Sequence, residues 1–155
     1  MFVLLLLALL IAPSFAETIN FESVLVNKNV VKNNERGLEI QSRFTVEGLK
    51  GKSVDLSAYF YNADGSKLKD FDGSCATPDG QVAVSINFPV EGDNLVFDTR
   101  EAPGFILFVP YKELHLGQGD VFLKLQLELF LHGTSPSLAK SNMATVNIGA
   151  NERRP

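Results

Sequence analysis

Few side chains in the sequence can supply nitrogen or sulfur chemistry. The 155 residues include one cysteine, Cys75, and two histidines, His115 and His132. A zinc site needs such residues at spacings like Cys-x-x-Cys or His-x-x-x-His, and no pair here has one. We expect His115 to lie at a strand edge between two leucines, and His132 to end a strand at a turn. The sequence therefore contains no pattern typical of a zinc centre.

The single cysteine lies in a loop context, Asp-Gly-Ser-Cys-Ala at 72–76. A thiol nucleophile needs a neighbouring base that generates the thiolate, and none is adjacent in the sequence. The single cysteine is explained better as a buried free thiol, or as an intermolecular disulfide that makes a dimer through Cys75. The Gly-x-Ser-x-Gly pattern of serine hydrolases is also absent. A small secreted hydrolase using Cys75, or Asp70 with Asp72, is the least supported alternative.

Carboxylates between the predicted strands are more numerous. Calcium takes several oxygen ligands, which loops at the edge of a sheet can supply. The candidate calcium ligands are Asp64, Asp70, Asp72, Asp79 and Asp93. The run at 70–73 lacks the complete Asp-x-Asp-x-Asp-Gly ladder with its distal glutamate, so a set of solvated polar loops is the alternative. In a simple meander, alternate loops fall at opposite ends of the sheet, which would divide these acids into two groups.

The elements that must position these residues alternate with period two, which is typical of strands. In the clearest case, 121–131, valine and leucine occupy every odd position and mostly polar residues the even ones. As a helix, that segment would place leucines on every side. The predicted strands are 19–26, 37–46, 54–61, 81–88, 104–109, 121–131 and 144–148.

Turn residues separate these strands. Asn-Ala-Asp-Gly at 62–65 is typical of a tight hairpin, because Asp-Gly tolerates positive φ. Seven or eight short strands, each with one polar face, predict an all-β antiparallel two-sheet β-sandwich of the Ig-like or C2-like kind. A partly closed β-barrel is the alternative. One helical turn is expected near 111–114. The sandwich is expected to be one domain over 17–148, followed by a polar tail at 149–155.

The N-terminus is typical of a secretory signal peptide over 1–16. Its uncharged apolar run, from Phe2 to Ala12, spans about 16 Å as a helix, too short for a hydrocarbon core of about 30 Å. Pro13 breaks the run, and Ser14 and Ala16 are the small residues of a cleavage site. We expect cleavage after Ala16 and a secreted product without a membrane span.

Charge excludes one class of partner. The chain has 18 acidic and 14 basic residues, a net charge of −4, and no cluster of lysine and arginine. Nucleic acids are bound through a basic surface that neutralises phosphates. We therefore expect no nucleic-acid partner.

Aromatic residues on the polar side of two strands are the remaining candidates for binding. Tyr59 and Tyr61 occupy that side of one strand, and Phe122 and Phe130 that side of another. Four outward rings can form an apolar patch that binds a partner. The alternative is that the long segment 89–103 covers this face.

Several short motifs of the sequence resemble motifs of a known class of proteins. Gly-Leu-Glu-Ile at 37–40, Thr-Pro-Asp-Gly-Gln-Val at 77–82 and Pro-Tyr-Lys-Glu-Leu-His-Leu at 110–116 are the most distinctive. With these motifs, residues 37–132 resemble small exported β-sandwich domains of unknown function. The resemblance implies the fold and carries no activity, cofactor or catalytic residues.

Taken together, the sequence predicts a secreted, non-enzymatic β-sandwich that acts as an extracellular recognition, surface or matrix module. Its expected partner is an extracellular protein or polysaccharide. The alternative within binding proteins is calcium-assisted binding of a carbohydrate or an anionic surface. No cofactor is expected unless the acidic loops bind calcium.

Overall fold

The alternating segments form antiparallel strands in the computed structural model, which describes residues 16–101 and 105–153. Within these residues there are nine strands and two 3-10 turns, at Tyr111–Leu114 and Ala150–Arg153. The strands are β1 Thr18–Lys32, β2 Glu35–Glu47, β3 Ser53–Asn62, β4 Ala83–Pro89, β5 Asn94–Asp98, β6 Leu107–Pro110, β7 Val121–Leu131, β8 Ala139–Lys140 and β9 Ala144–Ile148.

The strands make two separate sheets. In the four-stranded sheet, β2 pairs with β1 on one side and with β5 and β6 on the other. In the five-stranded sheet the order is β4-β3-β7, and both β8 and β9 pair with the free side of β7. The sheets do not close into a barrel. The predicted two-sheet β-sandwich is therefore confirmed, and the barrel alternative is wrong.

The core lies between the facing sides of the sheets. The odd residues of β7 illustrate its composition, since Leu125, Leu127 and Leu129 are completely buried. Phe44 of β2 lies at the aromatic centre: its ring is stacked on that of Phe97 at 5.2 Å and tilted against that of Phe21 at 5.3 Å, measured between centroids. Each such side chain contributes about 1.5–3 kcal/mol when water is removed from it.

The largest differences from the sequence prediction are two strands and one strand end, while β4 and β6 begin two and three residues later than predicted. β5 and β8 were not predicted, because one is bounded by Asn94 and Asp98 and the other has two residues. β1 continues to Lys32 through a polar stretch in which Asn29 has a positive φ of 62°. The pairing with β2 is irregular at this point, between Asn27 and Val30. A β-bulge thus carries the strand past residues whose side chains break the alternation.

Part of each end of the chain lies outside the described residues. Residues 1–15 of the predicted signal peptide lie outside the described residues, so cleavage after Ala16 stays a prediction. Among residues 16–101 and 105–153, no helix is long and apolar enough to cross a membrane. Part of the predicted polar tail forms the 3-10 turn at Ala150–Arg153, where Glu152 pairs with Lys28 of β1 at 2.8 Å. Residues 154–155 of that tail lie outside the description.

Replacing Phe44 with alanine tests the core. We expect Phe44→Ala to lower the free energy of unfolding by about 3–5 kcal/mol, because it leaves a cavity among three packed rings. Urea denaturation of the purified protein measures this loss. The matched control is Phe122→Ala, whose ring is 60% exposed and whose loss is expected to be about 0.5 kcal/mol. Equal losses at the two positions would contradict the assignment of the core.

Candidate functional site

Three of the five candidate calcium ligands are held in separate local contacts. Asp64 accepts a 2.8 Å hydrogen bond from the Ser66 backbone and so closes its own turn. Asp79 pairs with Lys67 and accepts from the Thr77 hydroxyl, and these partners lower the pKa of Asp79 to about 2. Asp93, in the loop after β4, pairs with Lys50, in the loop before β3, at 3.1 Å. Both loops lie at the other end of the sandwich. The structure therefore does not bring the five acids together.

Asp70 and Asp72 do approach each other, and they meet His115. One donor atom from each of the three side chains lies within 4.8 Å of the others. The closest pair is Asp70 Oδ1 and His115 Nε2, at 2.7 Å, and Asp72 Oδ1 lies 3.8 Å from the same nitrogen. The Asp70 side chain is 0% exposed, although it belongs to a surface loop.

The backbone around Asp70 explains how a buried carboxylate is kept ionised. Its two oxygens accept hydrogen bonds from the backbone N–H groups of Asp72 and Cys75, both at 3.2 Å. Burial raises the pKa of Asp70, but the hydrogen bond with His115 and those from the backbone outweigh it and hold the pKa below its ordinary value. Asp70 thus fixes the loop after β3 to the segment before β7.

His115 is positioned by the 3-10 turn, and here the sequence expectation was wrong. The residue is not at a strand edge: it follows Tyr111–Leu114 with φ of 48°, in the left-handed region. The turn is anchored because Leu114 is completely buried and the Tyr111 hydroxyl accepts from Asn29 N at 3.0 Å. The left-handed residue then reverses the chain and directs the imidazole at Asp70. His132, in contrast, follows the end of β7 in a turn, as predicted.

One imidazole and two carboxylates are a donor set that suits a borderline divalent cation better than calcium. Calcium takes about six to eight oxygen ligands, and among the residues that the structure describes only Asp70 and Asp72 bring carboxylates to this cluster. Their oxygens already accept backbone N–H groups, including Ser74 N to Asp72 at 2.9 Å. As the side chains stand, the cluster acts as a clasp between two loops.

Cys75 lies next to this cluster and is half-buried. Burial raises the pKa of the Cys75 thiol, and the negative charges of Glu113, Asp70 and Asp72 raise it further. A raised pKa keeps the thiol protonated, which is the reverse of what a nucleophile requires. The disulfide-linked dimer through Cys75 stays a prediction.

The predicted aromatic residues lie on a single surface, the side of the five-stranded sheet that faces away from the core. We call it the outer face. Cross-strand pairing arranges it in rows, so that Asp55 lies between Asn87 and Phe130, and Tyr59 lies opposite Gln126. The outer face consists of Asp55, Ser57, Tyr59, Tyr61, Ser85, Asn87, Phe122, Lys124, Gln126, Glu128, Phe130, Lys140, Thr145 and Asn147.

The aromatic rings of the outer face differ in exposure. Phe122 is 60% exposed, whereas Tyr59, Tyr61 and Phe130 are half-buried. Tyr59 and Phe130 contact each other edge to face, with 6.2 Å between ring centroids. Burial raises the pKa of Tyr59, and the neighbouring Glu128 raises it further. The rings therefore form a surface that is partly supported by its own neighbours and partly open to water.

The described part of the segment 89–103, residues 89–101, does not cover this face, so that expectation was wrong. Residues Asn94–Asp98 form β5, which pairs with β2 in the opposite sheet. Phe97 of this strand packs on Phe44 in the core. Backbone pairing and burial of Phe97 draw the described part of the segment, 89–101, to the other side of the sandwich.

Of the four charged residues on the outer face, Asp55, Glu128 and Lys140 have ion-pair partners. Lys140 donates to Glu128 at 2.8 Å, and His132 Nδ1 lies 3.0 Å from both oxygens of Asp55. Asn87 donates to Asp55 Oδ1 at 2.8 Å, and hydrogen bonds with Asn87 and His132 lower the pKa of Asp55 against the effect of burial. The outer face is consequently polar without a strong field of either sign.

Sequence reasoning found the outward rings but missed their polar neighbours and the Asp70–His115 pair. The alternation in β3 and β4 already placed Asp55 and Asn87 on the outward side, so their position was available as a signal. Asp70 and His115 are 45 residues apart, and no local pattern joins them.

No family model matches the chain, and no curated protein sequence matches it.

The Asp70–His115 clasp predicts a specific response to acid. A carboxylate whose pKa is lowered on folding stabilises the protein above its unfolded-state pKa, and this stabilisation is lost as pH falls through the folded-state pKa. We expect Asp70→Asn to have a lower Tm than the wild type at pH 6, and the difference to narrow below about pH 4. Thermal unfolding of both proteins from pH 6 to pH 2.5 measures this. The control Asp93→Asn, whose side chain is 71% exposed, is expected to change Tm little. A difference independent of pH would contradict the clasp.

The dispersal of the acids predicts that calcium leaves stability unchanged. A cation bound only by the native state raises Tm, by an amount that grows with its concentration above the dissociation constant. We expect the same Tm in 5 mM EDTA and in millimolar calcium chloride, measured by differential scanning fluorimetry. A rise that is lost in Asp70→Asn would instead support the calcium-assisted alternative.

Proposed function

We propose that the protein is a non-enzymatic recognition module that works outside the cell and binds its partner through the outer face. The observation that supports this most is the contrast along β7. Its leucines at 123, 125, 127 and 129 are buried, whereas Phe122 at an even position is 60% exposed. An exposed phenylalanine in line with half-buried aromatic rings gains by being covered.

The composition of the outer face supports binding over a purely structural role. Tyrosine and phenylalanine are enriched in interfaces because they combine a large contact area with few rotatable bonds. Tyr59 and Tyr61 add hydroxyl groups to that area, in adjacent rows of the same strand. Solvent-exposed Ser85 and Asn87 continue the face with small polar groups.

The titratable groups support a non-enzymatic role. The thiol of Cys75 has a raised pKa, and the His115 imidazole is held by Asp70. His132 has the orientation of a base, since Asp55 holds its Nδ1, but the nearby Ser53 hydroxyl donates to Asn87 Oδ1 at 3.1 Å. A hydroxyl nucleophile must be bonded to the base, and this one is not.

Export is supported by the apolar run and small residues at 1–16, which are typical of a signal peptide. The single cysteine fits an oxidising compartment only as a free thiol or an intermolecular disulfide. The partner that this location makes available is an extracellular protein or polysaccharide.

Capture from extracellular material tests the binding face. The immobilised wild type is expected to retain material from the source's extracellular matrix or fluid, and the double variant Tyr61→Ser/Phe122→Ser to retain at least about tenfold less. Loss of one well-packed aromatic contact commonly costs about 1–2 kcal/mol of binding free energy, and tenfold corresponds to about 1.4 kcal/mol, so the loss of two such contacts exceeds tenfold. Quantitative analysis of the retained material measures this.

The control variant is Leu25→Ser/Val96→Ser, which removes two exposed apolar side chains from the four-stranded sheet, 46% and 55% exposed. It is expected to retain as much as the wild type. Far-UV circular dichroism and Tm establish that both double variants are folded. Equal retention by the outer-face variant and the wild type would overturn the proposed function.

A further inference from the structure

We infer that the ligand of the outer face is an uncharged polysaccharide that lies along β3 and β7. This inference rests on the proposed function and specifies its ligand. It is drawn from three features of the face: the spacing of the rings, the kind of polar groups between them, and the pairing of its charges.

The rings follow one another along the strands. Phe122, Tyr61 and Tyr59 stand in three successive cross-strand rows, and Phe130 stands two rows further along. From Phe122 to Phe130 the strand extends about 26 Å, at about 3.3 Å per residue. Because the rings of Tyr59 and Phe130 contact each other, with 6.2 Å between their centroids, a ligand that contacts this pair, Tyr61 and Phe122 must be extended and present flat apolar surfaces repeatedly. The C–H faces of sugar rings in a linear glycan have that form.

The groups between the rings suit hydroxyl ligands. Asp55 and Asn87 offer carboxylate and amide oxygens in one row, and the exposed Ser85 offers a hydroxyl in the adjacent row. Asn87 Oδ1 accepts one hydrogen bond, from the Ser53 hydroxyl, and so keeps a second lone pair for a ligand hydroxyl. Neighbouring hydroxyl pairs are the recurring polar feature of a sugar ring.

The charges favour a neutral ligand. Glu128 is paired with Lys140 at 2.8 Å, and Asp55 with His132 at 3.0 Å. At the margin of the face, Lys67 is paired with Asp79. An acidic polysaccharide would need to displace these carboxylates before it gained an ion pair with Lys140 or Lys67, which leaves Lys124 as the lysine of the outer face that it would reach directly. A neutral chain leaves every pair in place.

A protein partner fits the outer face less well. Protein interfaces concentrate their energy in a few residues that become fully desolvated at the centre. Here the most exposed ring, Phe122, lies at one end of the row, and the half-buried polar Gln126 lies at the centre. The apolar contacts are thus distributed along the face, as a repeating ligand requires.

Chemical treatment of the captured material tests the ligand class. Periodate cleaves the neighbouring hydroxyl pairs of sugars, and a protease digests proteins. We expect periodate treatment of the extracellular material to reduce its retention by the wild-type protein at least tenfold, and protease treatment to leave retention unchanged. We also expect retention to persist in 0.5 M salt, because screening weakens contacts between charges and not those to neutral hydroxyls.

Affinity electrophoresis then tests the site with defined probes. Native gels contain hydroxyethylcellulose, laminarin, galactomannan or xylan as neutral chains, and heparin or polygalacturonate as acidic ones. The wild type is expected to be retarded by at least one neutral chain and by neither acidic one. Tyr61→Ala and Asn87→Ala are expected to lose that retardation at least tenfold in apparent dissociation constant, and Val96→Ala to keep it.

The outcomes separate the two claims. If protease removes retention and periodate does not, the ligand is a protein: the glycan inference fails and the proposed function stands. If acidic chains alone retard the protein in a salt-sensitive way, the neutral ligand is wrong. If retention is unaffected in the outer-face variant Tyr61→Ser/Phe122→Ser, both the inference and the proposed function fail.

Discussion

The mutual burial of two sheet faces determines the rest of this structure. Leu125, Leu127 and Leu129 of β7 are shielded from water only when the five-stranded sheet lies against the four-stranded one. Because side chains alternate along a strand, burial of these leucines fixes Lys124, Gln126 and Glu128 on the opposite side. A slip of one residue would exchange the two rows, so the apolar row holds the register firmly. The outer face is thus a direct consequence of the core.

Charged contacts fix the loops and strand ends that the core does not reach. Asp70 and His115 join the loop after β3 to the turn before β7. On the four-stranded sheet, Asp98 is held by Arg100 at 2.6 Å and by Arg43 at 3.2 Å, and the hydrogen bonds from Arg100 in particular keep the pKa of Asp98 well below its ordinary value. Both carboxylates are shielded from water and fully engaged. They are better understood as supports for the fold than as reactive groups.

The alternation of apolar and polar residues made most of the fold predictable, and the elements that were not predicted are those where this alternation is absent. The bounds of β7 and β9 agree with the prediction because valine, leucine and isoleucine alternate there without interruption. β5 was missed because five residues bounded by Asn94 and Asp98 resemble a loop, and its place in the sheet depends on pairing with the distant β2. The outward rings were predictable from the same alternation. The Asp70–His115 contact was not, since it arises from a left-handed residue after a 3-10 turn.

Binding through the outer face is tested most directly by the labelling rate of a thiol placed on that face, measured in the presence and absence of retained extracellular material. Lys124→Cys provides that thiol in a Cys75→Ser background, and Val96→Cys provides a control on the four-stranded sheet. We expect both thiols to react with a maleimide in the free protein, and we expect binding to slow the reaction at position 124 and not at position 96. Slowing at 96 alone, or no slowing at either position while the material is bound, would contradict binding through the outer face.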